Sequence, residues 1–304
     1  MNLREFALIT FSILAQLSVG SFLVLGVVHF FALRKAGEAE ADRLSDRALI
    51  AIWLTLLLGL AASLLHLGNP LNAWRAVMNL GTSWLSREIA SGVLFAALGG
   101  LFAVLQWRKL GSFQLRNLVA LAAGVVGLCL VYSMSMVYML PAEPGWNVIT
   151  TPFSFFATTF LLGVLALGAT FVANYAYVQR KTPGCANAQC VLLRAALKWI
   201  AVASIVLLGA QFIILPLNLA LLAGGAGAAA IPLLVGPYSL VFGLRLALVF
   251  LGAGVLGIFL FQAALKPGME NRLANLAYAA FALVLVGELL GRFLFYATQV
   301  RIAL

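Results

Sequence analysis

Eight long apolar runs, separated by short stretches of charge, proline or glycine, make up almost the whole chain. None of the runs alternates apolar and polar residues with period two, so the strands of a membrane barrel are excluded and helices are predicted. A helix needs about 20 apolar residues to cross the hydrocarbon of a bilayer, and its backbone polar groups are then satisfied within the segment. The predicted spans are residues 7–33, 48–67, 88–107, 117–140, 153–178, 195–222, 238–265 and 275–299. Most boundaries coincide with charge clusters or with breakers: Asn69-Pro70, Pro141 to Gly145, Pro183-Gly184, Gly236-Pro237 and Lys266-Pro267-Gly268. Gly224 to Ala230 reads as a flexible loop of small residues. No shift in composition divides the sequence, so residues 1–304 are predicted to form a single domain, an all-α integral membrane protein with eight transmembrane helices. The first run follows only Met1 to Phe6 and lacks a small-residue cleavage site, which predicts a retained span.

Composition agrees with lipid as the solvent. Hydrophobic residues make up 64% of the sequence and charged residues 9%, against roughly 25% charged in soluble domains. The formal net charge of +10 does not point to nucleic acid, because the basic residues are scattered among the loops. Their distribution carries topology instead. Arg34, Lys35, Arg43, Arg47, Arg108, Lys109, Arg116, Arg180, Lys181, Arg194, Lys198, Lys266 and Arg272 fall on one side, thirteen in all; Arg4, Arg75, Arg87 and Arg301 fall on the other. This bias puts the first group in the cytoplasm and both termini on the periplasmic side. Cys185 and Cys190 then face a reducing compartment, so no disulfide is expected between them. Three cysteines are too few for the four-thiolate set of an iron–sulfur cluster.

Ionisable groups inside spans are costly and therefore informative. His66, Glu88, Arg245, Glu288 and Arg292 all fall at a similar depth toward the periplasmic side. His29, the second of the two histidines, lies near the opposite face, so the pair cannot hold a haem between them, and no metal site is indicated. Structural readings exist for each group. Glu288 and Arg292 are four residues apart and can pair along one helix face, with Arg245 pairing to Glu288 or to carbonyls. Glu88 can be a helix-start residue with Ser86 as the cap. His66 can be satisfied by a carbonyl at the interface. Trp74, Trp84, Trp146 and Tyr138 read as belt aromatics. The functional reading joins His66 and Glu88 into a two-group proton acceptor. Such a pair suits a lipid-borne substrate that releases protons near neutrality, as a quinol does.

Three segments carry a resemblance. Ser63-Leu-Leu-His66-Leu-Gly68-Asn-Pro70 is followed by Trp84-Leu-Ser86-Arg-Glu88-Ile-Ala-Ser91-Gly92; Thr151-Pro152-Phe-Ser-Phe-Phe opens the fifth span; Gly287-Glu288-Leu-Leu-Gly291-Arg292-Phe-Leu-Phe-Tyr296 lies in the last. Together they resemble the membrane anchor of bacterial dimethyl sulfoxide reductase (the DmsC family), itself related to the wider polysulfide reductase and NrfD anchors. The resemblance implies an inner-membrane protein of eight helices, without haem, iron–sulfur cluster or molybdenum of its own. It implies two partners: an electron-transfer subunit with four 4Fe–4S clusters and a catalytic subunit with a molybdopterin guanine dinucleotide cofactor. Menaquinol would be oxidised at the anchor, with His66 and Glu88 as the essential pair and Gly68, Pro70, Asn72, Arg75 and Ser91 around the quinol. Where the family often has arginine, two residues after the motif proline, this sequence has Asn72, with Arg75 three residues on. A purely structural anchor without quinone chemistry is one alternative, and two more remain. One is a proton-coupled transporter using Arg245, Glu288 and Arg292, although no broken helices at matched positions are evident. The other is a quinone-reducing anchor of a substrate-oxidising complex.

Overall fold

The computed structural model describes residues 3–65, 70–181, 186–266 and 268–299. Among them there is no strand, and eight helices are long and apolar enough to cross a membrane. The first six are α1 (Leu3–Ala36), α2 (Glu38–Leu64), α3 (Trp84–Arg108), α4 (Phe113–Met136), α5 (Thr150–Lys181) and α6 (Ala186–Ala223). A short α7 (Ala230–Val235) precedes the seventh span, which is built in three pieces: α8 (Ser239–Val249), a π-helical turn (Phe250–Val255) and α9 (Leu256–Ala264). The eighth span is α10 (Glu270–Ala297).

Several boundaries differ from the sequence expectation, and each has a physical reason. The first connection shrinks to Gly37, whose φ of 83° only glycine adopts without strain. Helix α2 therefore starts at Glu38 rather than at residue 48, and Glu38 and Glu40 in its first turn suit the positive end of the helix dipole. Ser83, not Ser86, caps α3, accepting from the Ser86 backbone N–H at 3.3 Å. Glu88 consequently sits in the second turn of α3 rather than at its start. The 224–230 stretch is not an open loop: Ala226–Ala229 form a 3-10 turn leading into α7. A Cβ on Gly227 would lie 3.0 Å from the Pro144 carbonyl oxygen, so this turn rests against the 137–149 connection.

Helix α5 is the centre of the bundle, with 83% of its apolar window buried, against 28% for α2 and α3. It crosses α1 backbone to backbone. A Cβ on Gly163 would lie 2.6 Å from the Gly20 Cα, so only glycine permits this crossing. The π turn also packs tightly on its neighbour: a Cβ on Gly252 would lie 2.7 Å from Val284 and 2.9 Å from the Ala280 carbonyl of α10. Eight crossings return the backbone to its starting side, and contacts agree. Ile9 of α1 packs with Trp146 and Tyr296, while Gln299 donates to Glu143 at 2.9 Å. This end is the terminal side of the bundle, and the opposite end is its basic side.

Candidate functional site

Buried and half-buried polar groups on the terminal side converge from α1, α3, α5, α6, α8, α10 and the 137–149 connection. Glu88 projects from α3, only 8% exposed, and its carboxylate makes no hydrogen bond to another described residue. Two phenols lie within electrostatic reach of it: Tyr138, just past the end of α4, and Tyr296 of α10. Their hydroxyls hydrogen-bond each other. The rings belong to an aromatic nest in which Tyr138 lies 5.4 Å from Trp146, 5.7 Å from Phe155 and 5.1 Å from Phe295. Trp146 stacks on Phe295 and donates its indole N–H to the Phe295 carbonyl at 2.7 Å. Tyr138 and Trp146 are thus not belt aromatics. Both turn inward because a partner for the polar tip of each exists inside the bundle. Trp84 packs edge-on against Tyr132 and carries the Arg87 guanidinium 4.2 Å above its ring.

Arg292 interacts electrostatically with both phenols. The expected ion pair with Glu288 is not formed. Arg292 instead donates to Gln16 Oε1 at 2.6 Å and stacks 3.8 Å above the Phe155 ring. Gln16 in turn donates to the Phe155 carbonyl at 2.8 Å. Glu288 is held by neutral donors, Thr158 at 2.6 Å and Gln211 at 2.8 Å. With both carboxylate oxygens engaged, it does not close a salt bridge with Arg245 either. The Arg245 side chain crosses the face of α10 at Gly291, where a Cβ would lie 2.5 Å from its Nε, and that buried Nε has no hydrogen-bond partner among the described residues. Arg245, Glu288, Arg292 and Gln211 form the polar wall of a cavity of about 140 Å³ between α5, α6, α8 and α10, with Ile214, Leu219 and Phe242 among its apolar lining.

His66 and Gly68 lie outside the described residues. Pro70, Asn72 and Arg75 fall on a 3-10 helix, Pro70–Asn79, that links α2 to α3 on the terminal side, and Arg75 is exposed there. Ser91 is half-buried on α3, one turn beyond Glu88. The structure thus brings Glu88 together with a set that sequence reasoning did not connect to it: the tyrosine pair, Arg292 and Gln16. A signal for Gln16, Thr158 and Gln211 was present, since each is a hydrogen-bonding side chain inside an apolar run. Their partners, 276, 130 and 77 residues away, were not visible. Among the described residues, no three His, Cys, Asp or Glu side chains are grouped to hold a metal ion. His29 sits at the basic side, 3.1 Å from Ser45 Oγ and 3.9 Å from Asp42.

An eight-span bundle with a partly uncompensated polar cluster at one end defines a multi-pass membrane protein. Residues 1–298 match the model of the DMSO reductase anchor subunit (DmsC) family, and the protein belongs to that family. It is 36% identical over 179 residues to a component of the anaerobic dimethyl sulfoxide reductase of Escherichia coli strain K12, an overlap of 57% of this protein and 61% of that relative. A component of the anaerobic dimethyl sulfoxide reductase of Haemophilus influenzae is 30% identical over 173 residues, again 57% and 61% of the two lengths. A component of the sulfite dehydrogenase of Allochromatium vinosum is 33% identical over 102 residues, 34% and 31% of the two lengths. The matched region thus spans about three fifths of the length of the two dimethyl sulfoxide reductase relatives. The protein is a multi-pass membrane anchor of the inner membrane.

Proposed function

We propose that this anchor oxidises menaquinol on the terminal side and passes the electrons to an iron–sulfur partner, which feeds a molybdenum-containing catalytic partner. The observation that carries the proposal is Glu88. A carboxyl group buried at the end of a span, with no hydrogen-bond partner among the described residues, is costly unless a ligand completes it. A quinol hydroxyl is a donor of the right kind. Menaquinol gives up two protons and two electrons to become menaquinone; Glu88 and His66 accept the protons, and the electrons leave singly to the nearest 4Fe–4S cluster of the partner. Gly68, Pro70, Asn72, Arg75 and Ser91 shape the approach around the ring. The Tyr138–Tyr296 pair, facing both Glu88 and Arg292, holds the wall behind the carboxylate in place. On the positive-inside assignment this end is periplasmic. Protons and electrons then leave on the same side, and turnover does not itself charge the membrane.

The substrate at the far end is taken to be dimethyl sulfoxide or a similar acceptor, following the dimethyl sulfoxide reductase relatives. A second reading is favoured by the match to sulfite dehydrogenase: the same site, run in reverse, reduces menaquinone with electrons from a substrate-oxidising partner. The test is turnover of the assembled complex driven by menaquinol, compared with turnover driven by a reduced dye that feeds the catalytic partner directly. Glu88→Gln and His66→Gln should each lower the first by about a hundredfold or more and leave the second unchanged. Menaquinol-driven turnover at the wild-type rate in either variant overturns the assignment of that residue.

A further inference from the structure

A groove of about 710 Å³ that the terminal-side site does not use lies on the basic-side half of the bundle, between α1, α5 and α6. Its walls are apolar, with Val24, Val28, Phe31, Ala196, Trp199 and Ala203 among them, and Arg34 and Lys35 stand at its mouth. Along α1 the groove runs from Val24 to Lys35, or about 16 Å at the helical rise. That is half of the roughly 30 Å hydrocarbon thickness, so the groove extends from headgroup level to the midplane. Helices α1 and α6 make only sparse direct contact, and the groove is the gap between them.

The charge at the mouth is specific. Arg34 and Lys35 are both exposed, and neither forms a salt bridge among the described residues; Arg34 rests 4.3 Å above the Phe30 ring. The nearby carboxylates are engaged elsewhere: Glu38 with Arg116, Glu40 with Arg43, and Asp42 and Asp46 with Lys109. Two uncompensated cations therefore sit at headgroup depth above an apolar slot one leaflet long. From this geometry we infer that the groove is a binding site for an anionic phospholipid, whose acyl tails fill the gap between α1 and α6 while its phosphate is held by Arg34 and Lys35. Basic pockets between spans bind anionic headgroups by the same physics. A neutral occupant such as an isoprenoid tail would fill the slot without using the cations.

The test is lipid binding to the purified full-length protein by native mass spectrometry, with phosphatidylglycerol and phosphatidylcholine of identical acyl composition as probes. Wild type should retain phosphatidylglycerol at least tenfold more tightly than phosphatidylcholine. The double variant Arg34→Ala/Lys35→Ala, at exposed positions, should lose roughly thirtyfold in phosphatidylglycerol affinity, weaken phosphatidylcholine less, and so lose the preference for the anionic lipid. Ala195→Trp, which fills the slot, should weaken both lipids. Equal affinity of the two lipids for wild type, or undiminished phosphatidylglycerol binding by the double variant, overturns the inference. Binding that disappears on assembly with the partner subunits overturns it as well, because a protein then covers the groove.

Discussion

The two ends of the bundle treat buried charge differently. On the basic side, Asp42, Asp46, Glu38 and Glu40 each have a basic partner within 3.2 Å. Lys109 adopts a left-handed conformation (φ 52°) at the end of α3, and its Nζ reaches Asp42 at 2.5 Å and Asp46 at 3.2 Å. Gln106 adds bonds to both carboxylates, and Asn174 ties Arg47 at 2.6 Å and the Arg43 carbonyl at 2.8 Å to α5. On the terminal side, neither Glu88 nor Glu288 forms a salt bridge among the described residues. Glu288 relies on a hydroxyl and an amide, Arg292 on an amide and a ring, and Arg245 keeps an unpartnered nitrogen. Closed charge pairs tie helices together. Charges left partly open cost stability, and a membrane protein retains them where a ligand or a proton must be met. The basic side keeps unpartnered nitrogens too, on Arg116 and Arg194, so the difference lies in the carboxylates, and it supports the proposed placing of the quinol beside Glu88.

Substitutions at the two ends should have graded effects. Glu288→Leu should be the most damaging, since it strips the buried donors Thr158 and Gln211 of their charged acceptor. A loss of about 3–5 kcal/mol is expected from two hydrogen bonds to a charged group, seen as little assembled protein in the membrane fraction. Glu88→Gln should behave in the opposite sense. Its hundredfold loss of menaquinol-driven turnover corresponds to about 2.7 kcal/mol in the barrier, while the melting temperature of the purified protein stays the same or rises, because an uncompensated buried carboxyl has been removed. A fall of several degrees would show that Glu88 is a structural group. Asp42→Asn, on the basic side, should cost about 1–3 kcal/mol of stability through its charged hydrogen bonds and leave menaquinol turnover per folded complex unchanged. Trp146→Phe keeps the stack on Phe295 and removes only the indole hydrogen bond. It should cost about 1 kcal/mol, measured as a small shift in thermal melting with turnover retained.

How much of this was legible in the sequence follows from the range of the interactions. The eight spans were visible because lipid solvation is written into each run locally. The extension of α2 back to Glu38 was not, since charged residues beyond the hydrocarbon look like loop until Gly37 is seen to make the turn alone. Glu88 stood out as a carboxylate in an apolar segment. The setting of Glu88 did not, because Tyr138 meets Tyr296 across 158 residues and Gln16 meets Arg292 across 276. The spacing of Glu288 and Arg292 suggested a local pair, yet tertiary partners from α1, α5 and α6 take both side chains. The π turn in the seventh span left a faint trace in Gly252 and Gly254, whose missing side chains allow close approach of neighbouring helices.

In the proposed function the quinol binds at the end of the bundle where charge is left open. The most direct measurement is titration of a fluorescent menaquinol-site inhibitor against the purified complex carrying wild type, His66→Ala, Glu88→Gln or Asp42→Asn. One equivalent should bind wild type and Asp42→Asn with equal affinity, and binding should be lost or greatly weakened in His66→Ala and Glu88→Gln. Undiminished binding by both terminal-side variants, with loss in Asp42→Asn, would place the quinol at the basic side and contradict the assignment.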